Sequence, residues 1–214
     1  MMTRQKTYRI LATVFALLLS LRAGADAPRR VVFLGDSLTA GYTLDADLAY
    51  PALIQKKIDA EAWPFQVVNS GISGDTTAGG LRRLDWLMRR PIDLLVIALG
   101  ANDGLRGFPP GEAERNLAAM IERVRETSPG TIILLAGMRL PENMGEAYIR
   151  DFEAIYGRLA ERYAVPLKPF LLEGVAGDPA LNLPDGIHPN QEGQAIIADA
   201  MWQFIRPHLE ALSP

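Results

Sequence analysis

A three-layer α/β/α sandwich around a central five-stranded parallel sheet is the fold this sequence predicts. Two observations predict it. Short runs that are apolar at nearly every position alternate with longer segments whose apolar residues recur every three or four positions. Strands apolar on both sides need helices on both sides. The first three apolar runs each give way to a Gly-rich polar turn. Right-handed crossovers bring the carboxyl ends of parallel strands to one edge, with a flavodoxin-like strand order expected. Ligands bind along that edge in open α/β sheets.

Taken in order, residues 1–25 read as a secretory signal peptide. Arg4, Lys6 and Arg9 form a basic start, and the apolar stretch 10–21 is short for a bilayer span. Ala23-Gly24-Ala25 offers a small-x-small cleavage site, with Ala25-Asp26-Ala27 as a second choice; an uncleaved anchor is the alternative. Residues 26–214 are expected to form a single domain, long enough to bury its own core. The chain has no cysteine, so it has no disulfide framework, thiol nucleophile, Cys-based zinc site or lipid-modified export junction. Loss of residues 1–25 removes four basic residues and no acid, taking the formal charge from −3 to −7. Such a surface argues against nucleic acid as a partner. The expectation is an exported monomer without a stable membrane anchor, in the periplasm or beyond the cell.

The first strand is Val31-Val32-Phe33-Leu34, broken by Gly35. A helix over 50–62 tolerates Pro51 in its first turn, and a strand follows over 65–69. The helix over 76–90 spaces Leu81, Leu84, Leu87 and Met88 on one face, and the strand over 93–99 stops at Gly100. Leu117, Met120, Ile121 and Val124 stripe a helix over 112–126 before an apolar strand over 131–136. A further helix covers 145–163 through Ile149, Phe152, Tyr156 and Leu159. The fifth strand, 165–170, is weak because Pro166 and Pro169 interrupt it. A closing helix over 191–212 is expected to turn Ile196, Ile197, Ala200, Met201 and Phe204 inward, with Pro207 kinking or ending it.

Four polar turns are expected at the shared edge. They hold Gly35-Asp36-Ser37-Leu38, then Asn69-Ser70-Gly71-Ile72-Ser73-Gly74-Asp75, then Gly100-Ala101-Asn102-Asp103-Gly104, and finally Asp185-Gly186-Ile187-His188-Pro189-Asn190. A serine needs a base to take its proton, and the chain has only two histidines. His208 follows Pro207 and reads as a solvated helix-end residue. His188 lies in a loop with Asp185 three positions earlier, close enough for the carboxylate to fix the tautomer of the imidazole. The bland reading of Asp-x-x-His is a helix-capping turn. The Ser37 and Gly74 amides and the Asn102 side chain are candidate donors to an oxyanion, though Asn102 also reads as a turn former. Asp36, Asp75 and Asp103 read as loop braces, with a Mg²⁺ site for phosphoryl chemistry as the alternative. No P-loop, dinucleotide fingerprint or G-x-S-x-G elbow follows any strand.

These blocks resemble the GDSL (SGNH) hydrolase family, through Ser37 in Gly-Asp-Ser-Leu, Gly74 in Ser-Gly-Asp-Thr, Asn102 in Gly-Ala-Asn-Asp and His188 in Asp-Gly-Ile-His-Pro-Asn. Phe-Leu-Gly-Asp-Ser-Leu-Thr-Ala-Gly-Tyr, Asn-Asp-Gly-Leu-Arg-Gly-Phe and Arg-Leu-Pro-Glu-Asn resemble its bacterial periplasmic multifunctional lysophospholipase, acyl-CoA thioesterase and arylesterase group. The resemblance spans roughly residues 31–209. It implies a serine ester or thioester hydrolase with a Ser37–His188–Asp185 triad and neither metal nor organic cofactor. It also implies small acyl ester or thioester substrates, among them aryl esters, fatty acyl thioesters and lysophospholipids. Leu105, Phe108, Met138 and Met144 are candidate walls of an acyl groove. Two alternatives stay open: a carbohydrate or peptidoglycan O-acetyl esterase using the same site, and a non-catalytic secreted lipid-binding module.

Overall fold

The computed structural model describes residues 27–213, so the expected signal peptide lies outside the described residues. The five strands are β1 (Arg29–Gly35), β2 (Phe65–Gly71), β3 (Leu94–Ala98), β4 (Ile132–Ala136) and β5 (Leu167–Lys168). All are parallel, in the order β2-β1-β3-β4-β5. The helices are α1 (Ser37–Ala40), α2 (Tyr50–Ala60), α3 (Thr77–Leu87), α4 (Ala101–Leu105), α5 (Pro110–Thr127), α6 (Glu146–Tyr163) and α7 (Gln191–Leu212). The chain steps from β1 to β2 in one direction and from β2 through β3, β4 and β5 in the other. Right-handed crossovers therefore put α2 on one face and α3, α5 and α6 on the other. Contacts agree: α2 packs on α7, while α3, α5 and α6 pack in a row. The five-stranded α/β sandwich is the one the sequence predicts.

Burial follows each strand's place in the sheet. Every residue of β3 is buried, as is β1 from Arg30 onward, because helices cover both their faces. Edge strand β2 is only partly covered and carries Gln66, Asn69 and Ser70. On the other edge, β5 shrinks to two residues between Pro166 and Pro169. It pairs with β4 through Leu135 and Ala136: Leu135 N–H donates to the Pro166 carbonyl at 2.9 Å, and Gly137 N–H to that of Lys168 at 2.8 Å. Prolines on both sides of so short a strand are tolerated at a sheet edge.

Helix α7 departs from the expected inward face. Ile197, Ala198, Met201, Ile205 and Leu209 are buried, whereas Ile196 is 38% exposed. Its face is set by a polar residue: Gln194 is buried, its Oε1 accepting from Tyr50 N–H at 2.8 Å and its Nε2 donating to the Leu38 carbonyl at 3.2 Å. Tyr50 opens α2, whose N-cap Ala49 provides no side-chain acceptor, so Gln194 serves instead. An apolar count could not see that register. Pro207 does not end the helix, which runs on to Leu212. Its missing N–H falls on the exposed side, beside exposed Gln203. The two shortest helices, α1 and α4, have too few residues to show a periodicity.

The turn after β1 depends on two glycines. A Cβ on Gly35 would lie 2.0 Å from Thr39 Oγ1. A Cβ on Gly71 would lie 2.3 Å from the Ala40 nitrogen and 2.8 Å from the Asp36 carbonyl oxygen. The backbone of α1 thus rests directly on the end of β2. Glycine inside a strand ordinarily weakens it relative to alanine, so Gly71→Ala tests this contact by its sign. Urea unfolding should show a loss of about 1–3 kcal/mol, the cost of forcing atoms into a filled site. A gain in stability would contradict the packing described.

Candidate active site

Asp36 caps α1: its Oδ1 accepts from Leu38 N–H at 3.0 Å. Ser37 is the next residue, at the first position of the helix, where backbone N–H groups lack intrahelical partners. Its hydroxyl lies 2.9 Å from Nε2 of His188, a residue 151 positions away. Nδ1 of the same ring lies 2.7 Å from Oδ2 of Asp185. An ionised carboxylate only accepts, so the proton sits on Nδ1 and Nε2 accepts from the Ser37 hydroxyl. The other Asp185 oxygen, Oδ1, accepts from the N–H groups of Ile187 at 2.9 Å and His188 at 3.0 Å. The His188 N–H, with further help from its ring and the Ile187 N–H, brings the Asp185 carboxyl down to about 2.

The loop carrying these groups is pinned at both ends. Leu183 N–H donates to the His188 carbonyl at 2.7 Å, and Asn190 N–H to that of Leu181 at 2.9 Å. Gly186, at φ +70°, makes the turn between them. Asn190 then caps α7, its Oδ1 accepting from Glu192 and Gly193 N–H groups at 3.0 Å each. So the capping role goes to Asn190, and Asp185 is turned toward the imidazole. His208 lies 17 residues beyond the first residue of α7, about 26 Å along the axis at 1.5 Å per residue.

The two other candidate donors sit on the neighbouring loops. Gly74, at φ +79°, follows β2, and its carbonyl accepts from Arg106 at 2.8 Å. Asn102 lies in α4, just past β3. Its Nδ2 donates to the Asp75 carbonyl at 2.9 Å and lies 3.4 Å from Asp36 Oδ2. Asn102 therefore spans the turn that bears Ser37 and the turn that bears Gly74. Among the described residues, the Ser37 and Gly74 N–H groups have no acceptor.

Each of the three aspartates in these turns is engaged by the protein itself. Asp75 pairs with Arg83 at 2.7 Å. The same guanidinium donates to Ser70 Oγ at 2.7 Å and to the Gly35 carbonyl at 2.9 Å, tying the ends of β1 and β2 to the Gly74 turn. Asp103 accepts from Thr77 N–H at 2.8 Å and from the Thr77 hydroxyl at 2.6 Å, joining α4 to the start of α3. Asp36 is fully buried; desolvation pushes its carboxyl up to about 7, against the opposing pull of the Leu38 N–H. Among the described residues, no three His, Cys, Asp or Glu side chains are grouped to hold a metal ion.

Five exposed apolar side chains lie in or shortly after the four turns: Tyr42, Ile72, Leu105, Phe108 and Ile187. Of the expected groove residues, Leu105 and Phe108 are exposed and Met144 is half-buried. Met138 is not a wall: it is 2% exposed and belongs to the core. Tyr42, Ile72 and Ile187 escaped the sequence reading because isolated apolar residues in loops carry no periodicity. Arg83 escaped it too, since a lone arginine on an amphipathic helix looks like part of a solvated face.

Asp36 makes a testable link between site and stability. Its ordinary value is 3.8 and its folded value about 7, so the folded chain keeps a proton that the unfolded chain releases. The associated stability is full below about pH 4 and is lost as the pH rises through about 7. Asp36→Asn keeps an acceptor for Leu38 N–H but cannot ionise. The unfolding free energy of the parent minus that of Asp36→Asn should therefore fall between about pH 4 and pH 8. A difference that stays flat across that range would contradict the burial described.

Comparison with known proteins completes the picture. A family model described as the GDSL-like lipase/acylhydrolase family matches residues 33–196. Esterase TesA of Pseudomonas aeruginosa is 40% identical over 195 residues, covering 90% of this chain and 96% of that protein. Thioesterase 1/protease 1/lysophospholipase L1 of Escherichia coli K12 is 42% identical over 195 residues, covering 91% of this chain and 90% of that protein. Among solved structures, the psychrotrophic esterase EstA from Pseudoalteromonas sp., inhibited by monoethylphosphonate, matches with a TM-score of 0.80. It is 34% identical, over 85% of this chain and 99% of that one. The chain belongs to the GDSL-like lipase/acylhydrolase family and is an enzyme of the ester-hydrolysing class.

Proposed function

We propose that Ser37 is the nucleophile of a serine esterase and thioesterase, with His188 as its general base and acid and Asp185 as the partner that orients the imidazole. The observation that carries this reading is the pair of contacts at one ring: Ser37 Oγ 2.9 Å from Nε2 and Asp185 Oδ2 2.7 Å from Nδ1. His188 takes the hydroxyl proton as Ser37 Oγ attacks the acyl carbon. The carbonyl oxygen becomes an oxyanion, held by the Ser37 and Gly74 N–H groups and the Asn102 amide. When the adduct collapses, the bond to the leaving oxygen or sulfur breaks and His188 returns the proton to it. Water then attacks the acyl-enzyme by the same route, releasing the acid and restoring the Ser37 hydroxyl.

Substrates in this reading are acyl esters and thioesters with an apolar acyl or aryl part: aryl esters, fatty acyl thioesters and lysophospholipids. Exposed Leu105, Phe108, Ile72 and Ile187, on the loops at the same sheet edge as Ser37, are the side chains that would meet such a part. The printed names of the P. aeruginosa and E. coli relatives support ester, thioester and lysophospholipid chemistry. Inhibition of EstA by a phosphonate supports a tetrahedral adduct, since phosphonates share that geometry. We further propose that residues 1–25 are a leader and that 26–214 form one domain. That domain would act as a periplasmic monomer with no cofactor. Among the described residues, no helix is long and apolar enough to cross a membrane.

Two variants test the roles with nitrophenyl and thioester substrates of graded acyl length. Ser37→Ala should lower kcat about 10⁴-fold or more at unchanged folding, and retained turnover would remove Ser37 from the role. Asp185→Asn, which keeps the shape but loses the charge, should also lower kcat about 10⁴-fold. A loss of less than tenfold would show that the carboxylate does not orient the base. Hydrolysis of acetylated sugars, with long-chain acyl esters left intact, would contradict the substrate class.

A further inference from the structure

One ring contact at the site has no part in the cycle above. The Tyr42 ring stacks on the imidazole of His188, with centroids 4.2 Å apart and planes 29° apart. We propose that Tyr42 is a positioning residue for the reaction, holding His188 in register with Ser37 and lending its π face to the imidazolium that forms. This rests on the Ser37–His188–Asp185 reading. The hydrogen bonds at Nδ1 and Nε2 act in the plane of the ring, whereas torsion about the Cα–Cβ and Cβ–Cγ bonds carries the ring out of that plane. A partner lying on the face opposes that motion. A ring face is also where an aromatic group stabilises a cation, and the imidazole becomes cationic as Ser37 attacks.

The chain delivers Tyr42 from the same turn as the nucleophile. Gly41, at φ +76°, ends α1 in the left-handed conformation. The N–H groups of Gly41 and Tyr42 both donate to the Ser37 carbonyl, at 3.1 and 3.2 Å. A Cβ on Gly41 would sit 2.7 Å from that of Ala49, so glycine is required where the chain turns back. Hydroxyl and aromatic ring are thus anchored on one backbone carbonyl, and the two meet the imidazole at its edge and on its face. Tyr42 is 41% exposed, so its place over His188 is not accounted for by core packing.

The test compares Tyr42→Phe, Tyr42→Trp and Tyr42→Leu in the full chain. The readouts are kcat and KM for nitrophenyl acetate and the rate of phosphonylation by a small alkyl fluorophosphonate. Phe and Trp keep an aromatic face and should hold kcat within about threefold of the parent. Leu should lower kcat roughly 3- to 30-fold with KM little changed, and slow phosphonylation by a similar factor. Three outcomes overturn the proposal: Leu leaving kcat intact, Leu raising KM alone as lost substrate contact would, or Phe falling as far as Leu. The Ser37→Ala control separates the two readings. If the parent is phosphonylated and Ser37→Ala is not, the nucleophile stands whatever Tyr42 does. If Ser37→Ala is labelled as fast as the parent, both readings fall.

Discussion

The arrangement depends on a bare backbone contact. Helix α1 rests backbone to backbone on the end of β2 at Gly71, while its Thr39 side chain fills the space beside Gly35 at the end of β1. That contact fixes the height of Ser37 above the sheet. It also buries Asp36, the cap of α1, and sets Tyr42 one turn further on. The strand order brings the remaining groups within reach. β1 lies between β2 and β3, so the turns after these three strands are neighbours, at the position where doubly wound sheets open a crevice.

Two carboxyl groups near Ser37 are pushed in opposite directions, and the cause is solvent and donors rather than sequence. Asp36 is buried, and its carboxyl rises to about 7. Asp185 lies at the rim, receives two backbone N–H bonds and an imidazole, and falls to about 2. In the proposed reaction, the lowered group is the one that must remain an anion beside a ring that becomes cationic. The raised one sits within 3.4 Å of Asn102, where a neutral carboxyl would compete less with an oxyanion for the amide hydrogens. Environments that drive like groups apart are a general means of dividing chemical roles. Arg83 completes the frame, binding Asp75, Ser70 and the Gly35 carbonyl at once.

Much of this was legible in the chain. β1 and β3 are apolar on both faces, and that alone demands a covered parallel sheet. Ser37, Gly74 and Asn102 could be placed because each follows a strand directly, and His188 because there was only one alternative histidine. What stayed hidden depends on side chains that break the apolar pattern. Gln194 is buried as a helix cap and shifts the inward face of α7, which no hydropathy count reveals. Arg83 is a half-buried clamp with the sequence signature of a surface residue. Met138 follows a strand end yet turns into the core, and Tyr42 turns out of it. Such choices are made by neighbours distant in sequence.

The central claim is that groups far apart in sequence converge on one tetrahedral centre. A crystal structure of the protein after reaction with an alkyl fluorophosphonate tests it most directly. The account predicts phosphorus bonded to Ser37 Oγ, with one phosphoryl oxygen about 2.7–3.1 Å from the Ser37 N–H nitrogen, the Gly74 N–H nitrogen and Asn102 Nδ2. An adduct on another residue, or a Ser37 adduct whose phosphoryl oxygens meet none of those donors, would contradict it.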